Sequence, residues 1–187
     1  MLEAARDVLE RSGWWGFKVR SVLRQADLST RSFYRHFDSK SDLLVALLQR
    51  ELGSAAERLR RVTAAAETPS AQIRVYLTAM VDTAYDPQTA KQSSLFAVHW
   101  RELLPGHSDT INSCMTHLVQ PLMDAVAAGA ASGEVSSTVP SADAWAIFYL
   151  VAGMTADQAA SRVPMPRAEF ENIITPFVER AIGLVPN

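Results

Sequence analysis

Apolar residues recur every three or four positions along most of the chain, a spacing that places them on one face of an α-helix. No segment alternates apolar and polar residues in the way that is typical of a half-buried strand. The pattern therefore predicts an all-α fold of about nine helices with no sheet. The predicted helices begin near residues 2, 18, 30, 39, 68, 86, 108, 141 and 167.

Local signals indicate several of the helix boundaries. Gly13 is expected to end the first helix, and Ser39 with Asp42 has the form of a capping box at the start of the long fourth helix. Pro121 lies inside the helix predicted over residues 108–131 and is expected to kink it.

The first four predicted helices have the outline of a helix-turn-helix unit, in which three short helices precede a long one. Only residues 27–29 separate the second helix from the third, and a turn this short holds two helices at a steep angle. The start of the third helix can then enter the major groove of DNA. Its exposed side chains carry hydroxyl, guanidinium and imidazole groups and no carboxylate, which suits contacts with base edges and phosphates.

Charge is unevenly distributed along the 187 residues, although the formal net charge is only −2. Residues 1–50 carry nine Lys or Arg against six Asp or Glu, whereas residues 51–187 carry nine against fourteen. The basic excess near the N-terminus fits a polyanionic partner. Charge alone leaves open the alternative that these residues only solvate helix surfaces.

The segment VRSVLRQADLSTRSFYRHFDSKSDLLVALL, Val19–Leu48, resembles the DNA-binding segment of the TetR (tetracycline repressor-like) family of bacterial transcriptional regulators. The matching parts are the turn over 26–29, the recognition-helix motif over 32–37 and the start of the next helix over 39–43. Asp27 stands where the family has a turn glycine.

The resemblance implies a DNA-binding domain over residues 1–46 and an effector-binding and dimerisation domain over residues 47–187. It implies a homodimer that binds double-stranded operator DNA, and we predict a repressor released by a small, mainly apolar effector. We expect the third helix to contact bases through its first residues and phosphates through its later ones. The candidate DNA contacts are Arg20, Ser29, Thr30, Arg31, Ser32, Tyr34, Arg35, His36 and Lys40.

No motif in residues 47–187 names a ligand, so the effector site is predicted only from residue type and position. Aromatic, polar and methionine side chains within or beside the apolar stripes are the candidates, because a mainly apolar pocket needs few polar anchors. Each of them also fits an ordinary core or surface position. The candidates are Tyr76, Met80, Phe96, His99, Trp100, Asn112, Met115, His117 and Tyr149.

The last two predicted helices, over about residues 141–162 and 167–182, are apolar on more than one face. A single subunit would struggle to bury both, so we expect them to form a four-helix bundle with a second copy. The alternative is that both stripes pack inside one subunit. The predicted interface residues are Phe148, Val151, Ala152, Thr155, Ala159, Phe170, Ile174, Phe177, Val178 and Ala181.

Other classes of function find little support in the sequence. No Gly-x-Ser-x-Gly elbow, phosphate-binding loop or catalytic carboxylate pair is recognisable, so we expect neither an enzyme nor a cofactor. His99, His107 and His117 lack the spacing of metal ligands, and Cys114 is expected to be an inert thiol.

Without a signal peptide or a membrane-length apolar run, a cytoplasmic location is expected. The main alternative is a helical ligand-binding or structural protein without specific DNA binding.

Overall fold

The computed structural model describes residues 1–87, 89–90 and 99–184. This part of the chain contains eight α-helices, one short 3₁₀-helix and no strand, which confirms the all-α prediction. The predicted helix that begins near residue 86 lies largely outside the described residues. The elements are α1 (Leu2–Gly16), α2 (Val19–Gln25), α3 (Thr30–Tyr34), α4 (Lys40–Ala64), α5 (Pro69–Tyr85), the 3₁₀-helix η1 (Trp100–Leu103), α6 (Ser108–Ser132), α7 (Pro140–Ala160) and α8 (Arg167–Ala181).

Side-chain caps begin several of these helices where the sequence predicts them. The Ser39 hydroxyl accepts a hydrogen bond from the Asp42 backbone N–H at 3.1 Å, which confirms the cap at the start of α4. Thr68 caps α5 in the same way, through the Ala71 backbone N–H at 3.2 Å. Gly13 breaks α1 through its φ of 67° and ψ of 177°, but the helix resumes and extends to Gly16 rather than ending there.

The tight turn between α2 and α3 forms although Asp27 stands where the TetR-family pattern has glycine. Asp27 adopts a φ of 52°, in the left-handed region that aspartate tolerates better than most side chains. The Leu28 backbone N–H donates to the Leu23 carbonyl at 2.9 Å, which fixes α3 against the end of α2. The structure therefore keeps the helix-turn-helix geometry at this position.

The chain has two hydrophobic cores, which we call the head core and the body core. The head core is built by α1, α2, α3 and the first part of α4, and Leu103 and Ile111 from the later chain are buried in it. The body core joins α5, α6, α7 and α8 around the second half of α4. The predicted boundary between residues 46 and 47 lies inside α4, so that one continuous helix connects the two cores.

None of the helices in the described ranges is both long and apolar enough to cross a membrane.

Candidate DNA-binding surface and effector cavity

Helix α3 is held by buried aromatic residues and presents its polar side chains outward. Phe33 is 2% exposed, and its ring lies 5.7 Å from that of Phe37, which anchors the helix on the head core. The Ser29 hydroxyl accepts from the Ser32 backbone N–H at 3.2 Å and shares a second hydrogen bond with the Ser32 hydroxyl at 3.1 Å. Ser29 therefore caps the start of α3, and its hydroxyl also occupies the hydroxyl of Ser32.

The remaining predicted DNA contacts are exposed around this helix. Ser32 alone of the nine predicted residues is half-buried, and Tyr34 is 63% exposed despite its aromatic ring. Helix α3 ends at Tyr34, three residues before the recognition-helix motif ends at Phe37, because Arg35 and His36 form a turn. Apart from Arg20 in α2, the predicted contact residues therefore lie at the start of α3, in the turn after it and at the first residue of α4.

Six cations in and beside α2, α3 and the start of α4 are exposed and form no salt bridge within the described residues. Elsewhere in the head, by contrast, Arg6 and Arg50 pair with Glu3. Lys40 lies over the Phe17 ring, 5.6 Å from its centroid, which holds the ammonium at the start of α4. Exposed positive charge without a salt-bridge partner is the electrostatic feature expected of a phosphate-binding surface. The six are Lys18, Arg20, Arg24, Arg31, Arg35 and Lys40.

A cavity of about 410 Å³ lies between α4, α5, α6 and α7, with η1 and Thr89 also contributing to its wall. Its volume falls within the range of small-molecule sites in proteins, and its wall is mainly apolar. The lining residues are Leu48, Glu51, Leu52, Ser54, Ala55, Arg58, Leu59, Met80, Thr83, Thr89, Trp100, Arg101, Ile111, Met115, Leu118, Phe148, Tyr149, Ala152, Gly153, Thr155, Ala156 and Ala159. We call this space the body cavity.

The body cavity includes four of the nine predicted effector residues, namely Met80, Trp100, Met115 and Tyr149. Asn112 and His117 are exposed on the outer surface of α6. Each directly follows or precedes a residue of the cavity wall, Ile111 or Leu118, and neighbouring residues of a helix point about 100° apart. Phe96 lies outside the described residues.

Tyr76 and His99 are used by the fold itself and do not line the body cavity. The fully buried Tyr76 hydroxyl donates to the Leu118 carbonyl at 3.0 Å, and burial raises the pKa of Tyr76 above its usual range. The His99 ring stacks on Trp14 with centroids 4.9 Å apart, and its Nδ1 lies 2.8 Å from a carboxylate oxygen of Glu102.

Sequence reasoning missed the contribution of α4 to the body cavity. In its apolar stripe, Leu52, Ala55 and Leu59 line the cavity together with Arg58. A charged residue beside an apolar stripe was the available signal, but the same pattern occurs wherever a helix meets solvent.

The small residues of α7, which the sequence assigns to a dimer interface, line the body cavity. Ala152, Thr155 and Ala159, together with Phe148, contribute to the cavity wall. Small side chains allow close helix contact, but they equally leave space where no side chain fills the interior. The Thr155 hydroxyl is internally satisfied, since it donates to the Val151 carbonyl at 2.8 Å.

Most of the remaining predicted interface residues lie in the body core and present no apolar surface to a partner. Val151, Phe170, Ile174 and Val178 are each at most 3% exposed within the single chain, as is Phe148. Within the single chain, these residues are therefore already covered by the body core.

The exposed apolar surface of α8 lies on its other side. Phe177 is 52% exposed, and Ala181 is exposed one turn later. Ile173, which is absent from the predicted interface, is 46% exposed one turn before Phe177.

Helix η1 lies between the body cavity and the head. Trp100 and Arg101 line the cavity, whereas Glu102 accepts a hydrogen bond from the Trp14 indole N–H at 2.8 Å. The hydrogen bond with His99 is the main cause that lowers the pKa of Glu102, and the bond from Trp14 adds to it. The same short element thus touches a ligand-sized space on one side and α1 on the other.

A second contact joins the head to the start of α6. His107 Nε2 lies 3.3 Å from Asp42 Oδ1, and Asp42 also accepts from the Ser39 hydroxyl at 2.9 Å. Because Asp42 lies in the first turn of α4, this contact ties the body to the helix start that carries Lys40.

Across the described ranges, no group of three or more His, Cys, Asp or Glu residues is arranged to hold a metal ion. Cys114 is half-buried, and its burial raises the pKa of the thiol.

Comparisons with known proteins agree with this architecture. Residues 1–47 match the family model described as bacterial regulatory proteins, tetR family. No curated protein matches the sequence at a significant level.

Solved structures match over nearly the whole chain. A TetR-family transcriptional regulator from Pectobacterium atrosepticum is 23% identical, with a TM-score of 0.79 over 99% of this chain and 92% of that one. The reduced form of NemR from E. coli is 19% identical, with a TM-score of 0.78 over 100% and 96%. FadR from Bacillus subtilis, in complex with stearoyl-CoA, is 17% identical, with a TM-score of 0.77 over 95% of each chain. Residues 1–47 thus match the model of the tetR family of bacterial regulatory proteins, and the chain as a whole has the fold of solved transcriptional regulators of that family.

Proposed function

We propose that this chain is a homodimeric repressor that binds a specific operator through α3 and leaves it when a small, mainly apolar effector enters the body cavity. The observation that carries the proposal is the set of exposed cations without salt bridges in and beside α2, the capped α3 and the start of α4. The cavity and its connection to the head support the regulatory part.

The proposed DNA contacts divide into base contacts and phosphate contacts. Thr30 and Arg31 are exposed in the first turn of α3, where a recognition helix reaches base edges. Tyr34, His36 and Lys40 lie further along the same surface and are assigned to phosphates. Ser29 and Ser32 are assigned mainly to shaping the start of α3, because their hydroxyls bond to each other.

A second copy is the proposed partner of the exposed face of α8. Ile173 and Phe177 lie four residues apart and leave about half of each side chain in solvent. Pairing this face across a two-fold axis would bury both residues and place two heads on one DNA duplex. The proposed interface is thus smaller than the sequence suggested and centres on Phe177.

The effector is proposed to act through η1. A ligand in the body cavity contacts Trp100 or Arg101, and the neighbouring His99 and Glu102 hold Trp14 of the head. A shift of η1 would therefore change the position of α1 and favour a head spacing that does not fit the operator. The FadR neighbour with its bound stearoyl-CoA supports a ligand in this fold.

A band-shift experiment on DNA from the region upstream of the gene for this chain tests the proposal. We expect binding that exceeds binding to random DNA of equal length by about 10³-fold or more at physiological salt. Apolar metabolites that raise the melting temperature should then release the DNA. Equal binding to both DNA fragments would favour the alternative, a helical protein without specific DNA binding.

A further inference from the structure

The wall of the body cavity contains an unusual charged residue, Arg58. It lies in the second half of α4 on the same stripe as Ala55 and Leu59, and its side chain is half-buried. Its guanidinium forms no salt bridge or side-chain hydrogen bond within the described residues. Residues 88, 91–98 and 185–187, which lie outside the described ranges, contain no aspartate or glutamate that could serve as its partner. A partly desolvated guanidinium without a carboxylate favours an anion supplied from outside the chain.

The other charged groups of the wall leave this cation in excess. Glu51 lies two turns before Arg58, but Arg50 contacts its carboxylate at 3.3 Å and Arg6 lies 3.9 Å away. Arg101 is also cationic and lies over the Trp100 ring, 4.7 Å from its centroid. The local balance on the cavity wall is therefore positive.

A second donor lies beside Arg58. Ser54 precedes it by four residues on α4, which places the two side chains on one face of the helix, and both line the cavity. A carboxylate has two oxygens, so it can accept from a guanidinium and a hydroxyl together. The rest of the wall, from Met115 and Leu118 to Phe148, is apolar.

We propose that the effector is an amphipathic carboxylate whose anionic end binds Arg58 and Ser54 and whose apolar part fills the body cavity. This inference rests on the proposed function, because it assigns a chemical class to the effector. Recognition of the charge would then depend on these two residues of α4. Burial of the apolar part would depend on the whole wall of the cavity.

Three straight-chain probes with the same number of carbons test the charge requirement: decanoate, decanol and decylamine. Each is added to the full-length protein at pH 8, below its micellar concentration, and binding is measured by calorimetry. We expect decanoate to bind about 10- to 100-fold more tightly than decanol, which is the range for a charge-assisted hydrogen bond, and decylamine to bind most weakly.

Variants of α4 identify the residue responsible. Arg58→Met keeps the length and apolar stem of the side chain, and should bring decanoate and decanol to similar affinities. Arg58→Lys should preserve the order of the probes. Arg61→Met is the matched control, because Arg61 is exposed on the same helix and does not line the cavity.

Decanoate that binds no better than decanol to the wild-type protein, including no binding at all, would overturn the inference. A preference for decanoate that survives Arg58→Met would overturn it as well. If decanol nonetheless releases DNA, the proposed function stands while this inference fails. If decanoate binds through Arg58 without releasing DNA, the inference stands while the effector part of the proposed function fails.

Discussion

Replacing Ala152 by leucine tests whether α7 faces a cavity or a partner helix. Ala152 lines the body cavity, so the three added carbon atoms would enter existing space rather than displace neighbours. At about 0.8 kcal/mol for each buried carbon the gain is about 2.4 kcal/mol. The lost rotamer freedom of leucine costs about 0.5–1 kcal/mol, which leaves about 1.5 kcal/mol of added stability.

Thermal unfolding followed by circular dichroism measures this gain. For a domain of this size, about 1.5 kcal/mol corresponds to a rise of roughly 3–6 °C in the melting temperature. Ala152→Leu should also weaken the binding of cavity ligands, because it occupies part of their space. Ala128→Leu is the matched control: Ala128 is exposed on α6, and the change there should alter stability by less than about 0.5 kcal/mol.

A lower melting temperature for Ala152→Leu, or a dimer that dissociates, would refute the reasoning. Either result would mean that Ala152 is closely packed against another helix, as the sequence alone suggested. Sedimentation of the same sample distinguishes a loss of association from a loss of folding.

Further predictions concern the DNA surface, a buried tyrosine and the proposed dimer. Lys40→Gln should reduce the slope of log affinity against log salt by about 0.9 for each subunit bound to DNA, measured by titration on random DNA. Tyr76→Phe should cost about 1 kcal/mol at pH 7, measured by denaturant unfolding, because the Leu118 carbonyl loses its buried donor. Since burial raises the pKa of Tyr76, the wild-type chain should lose stability above about pH 10, as the unfolded state ionises first, and the variant should lose less. Phe177→Arg should yield a monomer in sedimentation at a concentration where the wild type is dimeric, and an unchanged dimer would contradict the proposed interface.

The helix-turn-helix unit could be predicted from the sequence because its signals are local. The Ser39 cap, the short turn at residues 27–29 and the spacing of Phe33 and Phe37 each depend on residues within a few positions of one another. Even Asp27 keeps the turn, since aspartate can adopt the positive φ that the position requires. Local signals of this kind do not depend on how distant parts of the chain pack.

The body could be predicted only in outline, because its site depends on contacts between distant segments. A stripe such as Ala152, Thr155 and Ala159 has the same appearance whether it faces a cavity or another helix. Likewise, the sequence does not show that Arg58 faces a cavity, because the cavity forms only where α5, α6 and α7 pack beside α4. Periodicity identifies the apolar faces of a helix, but it does not identify their partners.

Comparing the affinities of the wild-type chain and Arg31→Lys for operator and random DNA tests the central claim most directly. Lysine keeps the positive charge but not the planar pair of donors that recognises a guanine edge. We predict that Arg31→Lys weakens operator binding by roughly 1–3 kcal/mol per subunit and leaves random-DNA binding nearly unchanged. An equal effect on both DNA fragments, or no effect on either, would contradict the assignment of α3 to sequence-specific recognition.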